Sequence, residues 1–307
     1  METIRIGTRS SALALHQAEL VASQLKSCLP SVTVSIVKIK TQGDKLLDVP
    51  LADIGSKGLF TSEIEQALMR GDVDLAVHSA KDLPTDMTPG VQLTATLKRE
   101  DVRDVIVSRD GLKLDELGQK AVIGTSSLRR QAVMQRYNST WQLKPVRGNV
   151  QTRIQKVRDG EYDAVVLAAA GLVRLNFQDQ ISEYLDPYLF LPAVGQGAIG
   201  IQTKVDAQDI NEALRKINDQ ATFDCVQVER VFLEAVQGGC QVPVGVYTQQ
   251  KKNEVHMKAS ILSIDGSCEV TGEIKGSHDT IEQKAKALAQ QLLQQGGAAI
   301  LREIRHV

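Results

Sequence analysis

Apolar residues in the first half of the chain fall into short blocks that switch between a period of two and a helical period. Ile4 to Thr8 alternates, Ser11 to Lys26 repeats at helical spacing, Val32 to Ile39 is a β-branched run, Phe60 to Met69 is helical again and Leu75 to His78 is a compact apolar strand. That order predicts βαβαβ with a mostly parallel sheet. A second cycle follows: Val105 to Val107, Ala121 to Gly124, a helix starting near Ser126, a strand before Arg147, a helix from Val150 to Val157, and Ala164 to Leu167. Two α/β units in tandem imply a cleft between them, and ligands of such sheets bind beyond the carboxyl ends of the strands. Leu191-Pro192-Ala193-Val194-Gly195-Gln196-Gly197 reads as a hinge or return crossing, after which Ala198 to Gln202 is one more strand. From about Asp219 the pattern becomes a helix (Thr222 to Val236), three strands (Val244 to Thr248, Val255 to Leu262, Cys268 to Ile274) and a helix (Thr280 to Gln294), predicting a separate α+β domain.

Charge sharpens this picture at one place. The whole chain is balanced at a formal net charge of -1, yet the 42 residues from Leu117 to Arg158 hold nine Lys or Arg and no Asp or Glu. Within that window Thr125-Ser126-Ser127-Leu128-Arg129-Arg130, Arg147-Gly148-Asn149 and Thr152-Arg153 set arginines beside hydroxyls, Gly and Asn. These are loop and helix-start residues, where backbone N–H groups and the helix dipole favour anions. Arginines converging there suit several carboxylates or phosphates, because the guanidinium fork matches those groups bidentately. A solvated basic helix face is the plainer reading of any charge run. The missing acids and the hydroxyl neighbours favour a site.

Other classes recede. The balanced charge and 4% aromatic content disfavour a nucleic-acid binder, and no G-x-G-x-x-G or G-x-x-x-x-G-K-[ST] supports a dinucleotide or a P-loop. Cys28, Cys225, Cys240 and Cys268 lie far apart without C-x-x-C, and His16, His78, His256, His278 and His306 show no ligand pairing, so no metal site is expected. The first residues enter a strand with no apolar leader behind them, and the uncharged run Ala164 to Val173 is far short of the ~20 residues of a membrane span. A cytoplasmic protein with no membrane partner is the expectation.

Three further segments carry candidate chemistry. His78-Ser79-Ala80-Lys81-Asp82 follows an apolar strand, where α/β active sites collect, although a lone Lys-Asp step is more often an exposed turn. Residues 43–60, punctuated by Gly and Pro, read as a mobile lid or an idle loop. Gly238-Gly239-Cys240-Gln241-Val242-Pro243 places Cys240 on a tight turn. Such a cysteine is often a small buried hydrophobe, but a thiolate facing arginines is a competent nucleophile.

The motifs Arg5-Ile6-Gly7-Thr8-Arg9-Ser10-Ser11, Ala76-Val77-His78-Ser79-Ala80-Lys81-Asp82, Gly124-Thr125-Ser126-Ser127-Leu128-Arg129-Arg130, Arg147-Gly148-Asn149-Val150, Ala170-Gly171-Leu172, Leu191 to Gly197 and Gly238 to Pro243 occur in one order along the chain. Together they resemble the porphobilinogen deaminase (hydroxymethylbilane synthase) family over essentially the whole length. The resemblance implies two α/β lobes like type 2 periplasmic binding proteins plus a C-terminal α+β domain. Their spans are set at 1–98 with 196–218, 99–195 and 219–307. It implies a dipyrromethane cofactor joined by a thioether to Cys240, and a transferase of tetrapyrrole and heme biosynthesis. In that reaction porphobilinogen loses ammonia, four units are joined head to tail, and hydroxymethylbilane is released by hydrolysis. Asp82 matches the family's catalytic aspartate and is the one acid expected beside the donors. Arg9, Arg129, Arg130, Arg147, Arg153 and Arg174 match carboxylate-binding positions. Ser11, Ser79, Lys81, Thr125, Ser126, Ser127, Gly148 and Gln196 are supporting contacts, and Lys57 matches a lid lysine. Ser62 and Val173 stand where many members carry lysine, so no carboxylate contact is carried over to them. A monomer is the family-based expectation. The rival by architecture is a cytoplasmic binding module for small polycarboxylates, since two lobes and a basic cleft suit it equally.

Overall fold

Residues 2–45, 58–238, 242–252 and 254–305 are described by the computed structural model. Lys57 and most of the 43–60 segment, together with the Gly239-Cys240-Gln241 turn, lie outside the described residues.

The first sheet runs in the order Thr33–Lys38, Thr3–Thr8, Leu75–Ser79, Ile199–Lys204, Val91–Thr96. Its first three strands are parallel, as the alternating helices require, but Ile199–Lys204 enters antiparallel between Leu75–Ser79 and Val91–Thr96. The second sheet repeats that arrangement: Gln142–Lys144, Val122–Gly124, Ala164–Ala168, Asp104–Ser108, Glu183–Tyr184, with Asp104–Ser108 as the antiparallel insertion. Each lobe thus takes one strand from chain that has just crossed over from the other. Four strands of each sheet share one direction, so the mostly parallel expectation fails only at the inserted strand.

Sequence patterns place the helices. Ser11 caps Ala12–Cys28 by accepting from Ala14 N at 3.3 Å, and Asn149 caps Val150–Arg158 by accepting from Thr152 N at 2.8 Å. Ala18, Val21 and Leu25 of the first helix bury against Ile4, Ile6 and Val77 of the sheet. Ile154 and Val157 do the same against Val105, Val165 and Leu167 in the second lobe. In the C-terminal region an antiparallel sheet, Val244–Lys251, Glu254–Leu262 and Glu269–Gly276, carries helices Gln220–Ala235 and His278–Leu292. Phe232, Ile281 and Leu288 meet Val246, Val255 and Met257 in its core.

Two crossing segments join the lobes, and the helix Gln220–Ala235 holds both. Glu229, fully buried, takes Arg99 in a fork of 2.7 and 3.0 Å, Gly195 N at 2.7 Å and Thr248 N at 3.2 Å. Both carboxylate oxygens are engaged by donors, the condition under which a buried charge is tolerated. Gly195 and Gly197 have φ of 71° and 86°, and a Cβ on Gly197 would lie 2.4 Å from Glu100 O, so this crossing needs glycine. Arg230, next on the helix, donates to Pro84 O at 2.7 Å and Thr85 O at 3.3 Å, tying the C-terminal region to the loop that follows Asp82.

Candidate active site

The strand Leu75–Ser79 ends in one tight turn, Ala80–Asp82, at the carboxyl edge of the parallel strands. Asp82 lines an open pocket there with Arg9, Ser11, Gln17, Phe60, His78 and Ser79. Arg9 lies over the Phe60 ring, 4.2 Å from its centroid, and its Nη2 pairs with Asp44 Oδ1 at 2.5 Å. Asp44 also accepts from Thr41 Oγ1 at 2.9 Å. Ser79 Oγ bonds the buried Gln17 amide at 2.9 Å, and Ser11 Oγ caps its helix. Burial pushes His78 down to about 4, so its imidazole is neutral near pH 7.

Across the cleft, helix Leu128–Tyr137 begins after Ser127 and turns Arg129 and Arg130 inward, where both are buried. There they meet an acid that the sequence reading missed. Asp104, at the head of its apolar strand, pairs through Oδ2 with Arg129 Nη1 at 2.8 Å and through Oδ1 with Arg130 Nη2 at 2.8 Å. Despite burial, the two guanidiniums hold this carboxyl well below the usual carboxylate range. Arg129 Nη1 also donates to Leu191 O at 2.6 Å, and Arg130 Nη1 to Val166 O at 2.9 Å. The expectation that Asp82 is the one acid among the donors is therefore corrected. Arg129 and Arg130 spend part of their fork on an internal carboxylate, while Arg129 Nε is buried with no hydrogen-bond partner among the described residues.

The remaining candidates frame this pair. Gln196 Nε2 donates to Asp104 Oδ1 at 2.9 Å and to Val102 O at 2.7 Å, while its Oε1 accepts from Lys81 Nζ at 3.4 Å. The hinge thereby links Lys81 of one lobe to Asp104 of the other. Burial, then the charge of Arg130, lowers Lys81 to about 8, against the pull of Asp82 and Asp104. Arg153 bonds Gly148 O through Nε at 2.9 Å and is lowered to about 10 by burial and by Arg130 and Arg147, with Asp82 opposing. Those couplings bring Asp82, Lys81, Arg130, Arg147 and Arg153 into one electrostatic neighbourhood. Gly148 has φ of 110°, and a Cβ there would lie 2.7 Å from Thr152 Cγ2, which fixes glycine beside Arg147. Arg174 ends its short helix and donates to Gly197 O at 2.6 Å. Ser126 Oγ is used between Val146 O and Val146 N, Thr125 is buried with its Oγ1 accepting from Ser127 N, and Ser127 caps its helix without a side-chain bond. These hydroxyls build the loop that presents the arginines. Among the remaining cysteines, Cys225 is buried and pushed up to about 12, and Cys28 and Cys268 are exposed.

Residues 4–212 match the family profile described as porphobilinogen deaminase, dipyromethane cofactor binding domain, and residues 223–294 match the porphobilinogen deaminase C-terminal domain. The chain belongs to the porphobilinogen deaminase family. The porphobilinogen deaminase of Syntrophomonas wolfei subsp. wolfei is 48% identical over 305 residues, covering 99% of this chain and 100% of the relative. That of Geotalea uraniireducens is 46% identical over 304 residues, covering 99% and 95%. Among solved structures, the periplasmic VFT2 domain of Bordetella pertussis BvgS aligns over 73% of this chain and 92% of its own with a TM-score of 0.42 and 15% identity, too distant to carry weight.

Members of the porphobilinogen deaminase family work on pyrroles that each bear an acetate and a propionate, and the cleft suits such groups. Arg129 and Arg130 pair with Asp104, and Lys81, Arg147 and Arg153 share the electrostatic neighbourhood of Asp82 and Arg130, leaving an excess of positive charge. The buried Arg129 Nε adds a donor with no acceptor among the described residues. A dipyrromethane, with two acetates and two propionates, fits this donor set in charge and hydrogen-bonding type. All of these residues fall inside the matched cofactor-binding span.

Proposed function

We propose that the chain is a hydroxymethylbilane synthase: it deaminates porphobilinogen, joins four units head to tail on a dipyrromethane primer, and releases hydroxymethylbilane by hydrolysis. The observation that carries this reading is the hydrogen-bonded chain from Lys81, beside Asp82, through Gln196 to the Asp104 carboxylate shared by Arg129 and Arg130, in a chain of this family. The working parts are taken to be three units, 1–98 with 196–218, 99–195 and 219–307. The strand Ile199–Lys204 supports the first division, because it completes the first sheet. No helix among the described residues is long and apolar enough to cross a membrane. A monomer acting in the cytoplasm, with porphobilinogen as its partner and no nucleic acid or membrane, completes the proposal.

When bound, the dipyrromethane supplies a nucleophilic pyrrole carbon, and Cys240 is proposed as its attachment point. Arg147, Arg153 and Arg174, the donors of Arg129 and Arg130 that Asp104 leaves over, and Lys81 bind pyrrole carboxylates and fix ring orientation. Arg9 does the same in the Asp82 pocket, where an incoming carboxylate competes with Asp44. Ser11, Ser79, Thr125, Ser126, Ser127, Gly148 and Gln196 shape or line these contacts, and Lys57 is proposed to reach the cleft from the 43–60 segment. Loss of ammonia from porphobilinogen leaves an electrophilic azafulvene. As the α-carbon of the attacking pyrrole bonds the azafulvene methylene, positive charge would develop on that pyrrole's nitrogen; the Asp82 carboxylate stabilises the charge and accepts the proton that the α-carbon gives up.

Incubation with porphobilinogen is expected to give four ammonia and one hydroxymethylbilane for every four substrates consumed. Reversible binding without ammonia release would instead favour the polycarboxylate-binding module. Losing one charged contact costs about 1.5–3 kcal/mol, roughly one to two orders of magnitude in binding. Arg129→Leu and Arg130→Leu are therefore expected to purify largely as apoprotein, while Arg147→Leu and Arg174→Leu load cofactor but turn over slowly or stall at intermediate chain lengths. Wild-type loading and kinetics in all four would show the basic stretch to be a solvated face.

Lys81 gives the cleft a pH dependence. Its proton is held at pH 7 and lost through about 8, so the lysine stops attracting carboxylates on the alkaline side. Its folded value lies below the unfolded 10.5, so the unfolded chain binds more protons between the two. The cost of charging Lys81 in the fold is therefore present at pH 7 and relieved as pH rises from about 8 to 10.5. Capture of preformed hydroxymethylbilane by wild-type apoprotein should weaken above about pH 8, and Lys81→Arg, whose guanidinium does not titrate there, should remove that limb. An identical alkaline limb in Lys81→Arg would exclude Lys81 as its source.

A further inference from the structure

We propose that Asp104 is a positioning residue of the cleft: its buried carboxylate aims Arg129 and Arg130 and, through Gln196, holds Lys81 in the same constellation. This rests on the reading of the cleft as a pyrrole-carboxylate site. Asp104 is 2% exposed and sits at the head of an apolar strand, Asp104–Ser108, where an acid has no packing value of its own. Its Oδ2 meets Arg129 Nη1 at 2.8 Å. Its Oδ1 takes Arg130 Nη2 at 2.8 Å, Arg130 Nε at 3.1 Å and Gln196 Nε2 at 2.9 Å. One carboxylate thus fixes two consecutive helix residues whose side chains would otherwise diverge by about 100° around the axis.

The arrangement has two effects. Two guanidiniums at one buried spot repel strongly, and a shared anion leaves the pair with a single net positive charge while freezing both flexible side chains before any ligand arrives. Arg129 Nε remains buried and without a hydrogen-bond partner among the described residues, an N–H left over once Asp104 and Leu191 O are served. Gln196 carries the same device across the hinge, because the amide that donates to Asp104 also accepts from Lys81 Nζ at 3.4 Å. The charged groups facing Lys81 are Asp82 beside it, Arg129 and Arg130 from the opposite helix, and Asp104 behind them. Asp104 is buried and both of its oxygens are engaged by Arg129, Arg130 and Gln196, so it acts on the ligand through them.

The test uses the full chain with Asp104→Asn, which keeps shape and removes charge, and Asp104→Glu, which keeps charge and displaces it by one methylene. Preformed hydroxymethylbilane is the loading probe, intact mass gives the fraction carrying cofactor, and thermal unfolding shows whether each variant folds. Asp104→Asn is expected to load at least ~10-fold more weakly, as one misaimed charged contact costs. Its alkaline limb of loading should move to lower pH by about one unit, since Lys81 loses a favourable anion. Asp104→Glu should return the limb to its wild-type position while loading stays several-fold weaker. Wild-type loading with an unmoved limb in Asp104→Asn overturns the proposal. Weak loading with an unmoved limb also overturns it, because a merely structural acid would not tune Lys81. Should Asp104→Asn fail to fold, Asp104→Glu decides: wild-type loading affinity there shows that aim is unimportant and overturns the proposal. The four arginine variants are measured for loading and turnover alongside, and wild-type behaviour in all of them would bring down the cleft reading and this proposal together.

Discussion

Asp82→Asn is expected to lower turnover by at least ~10², equivalent to about 2.7 kcal/mol in barrier height. Asparagine keeps the shape and one carbonyl oxygen but removes the negative charge from a turn at the carboxyl end of the parallel strands. That charge acts on a ring that is neutral before ammonia leaves and cationic as the new carbon bond forms. It therefore stabilises the transition state more than the ground state, which is the condition for lowering a barrier. Lys81 and Arg153 are coupled to Asp82 and are cations, so neither can replace it as the stabilising charge. Cofactor assembly is expected to use the same chemistry, and a failed holoenzyme would mimic a failed catalyst. The measurement therefore starts from Asp82→Asn apoprotein loaded with preformed hydroxymethylbilane, confirmed by mass to hold the dipyrromethane, and then given porphobilinogen. Near-normal release of hydroxymethylbilane from that protein would remove Asp82 from the mechanism.

Much of the lobe architecture was legible because burial enforces periodicity. Leu75 to His78 reads as a strand and is one, and the helices read at Ser11 to Lys26 and Val150 to Val157 match Ala12–Cys28 and Val150–Arg158 within two residues. The direction of Ile199–Lys204 was not legible, because an apolar strand buried on both faces looks the same run either way. The two-residue edge strand Glu183–Tyr184 is too short to show a period, whereas Val91–Thr96 was legible, since Val91, Leu93 and Ala95 alternate with polar residues and are buried.

The site divides in the same manner. Basic residues clustered within one window announced themselves by composition. Their countercharge did not, because Asp104 lies 25 positions before Arg129 and meets it only through the sheet order. Asp44 opposite Arg9 and Glu229 opposite Arg99 are long-range partners of the same kind. One signal was available: an acid opening the otherwise apolar run Asp104-Val105-Ile106-Val107 is a polar group entering a core, and such a group needs a partner.

Cys240 carries the central claim, since a covalent primer separates a polymerising transferase from a binding module. Of the other cysteines, Cys225 is buried with its thiol pushed up to about 12, which disfavours the thiolate, and Cys28 and Cys268 are exposed on the surface. The deciding measurement is intact mass of the purified chain beside Cys240→Ser, Cys28→Ser, Cys225→Ser and Cys268→Ser. The account predicts a dipyrromethane adduct, with colour in Ehrlich's reagent and activity, in the wild type. The adduct should persist in the last three variants and be lost completely from Cys240→Ser. An intact adduct in Cys240→Ser, or an unmodified wild-type chain that still makes hydroxymethylbilane, would contradict it.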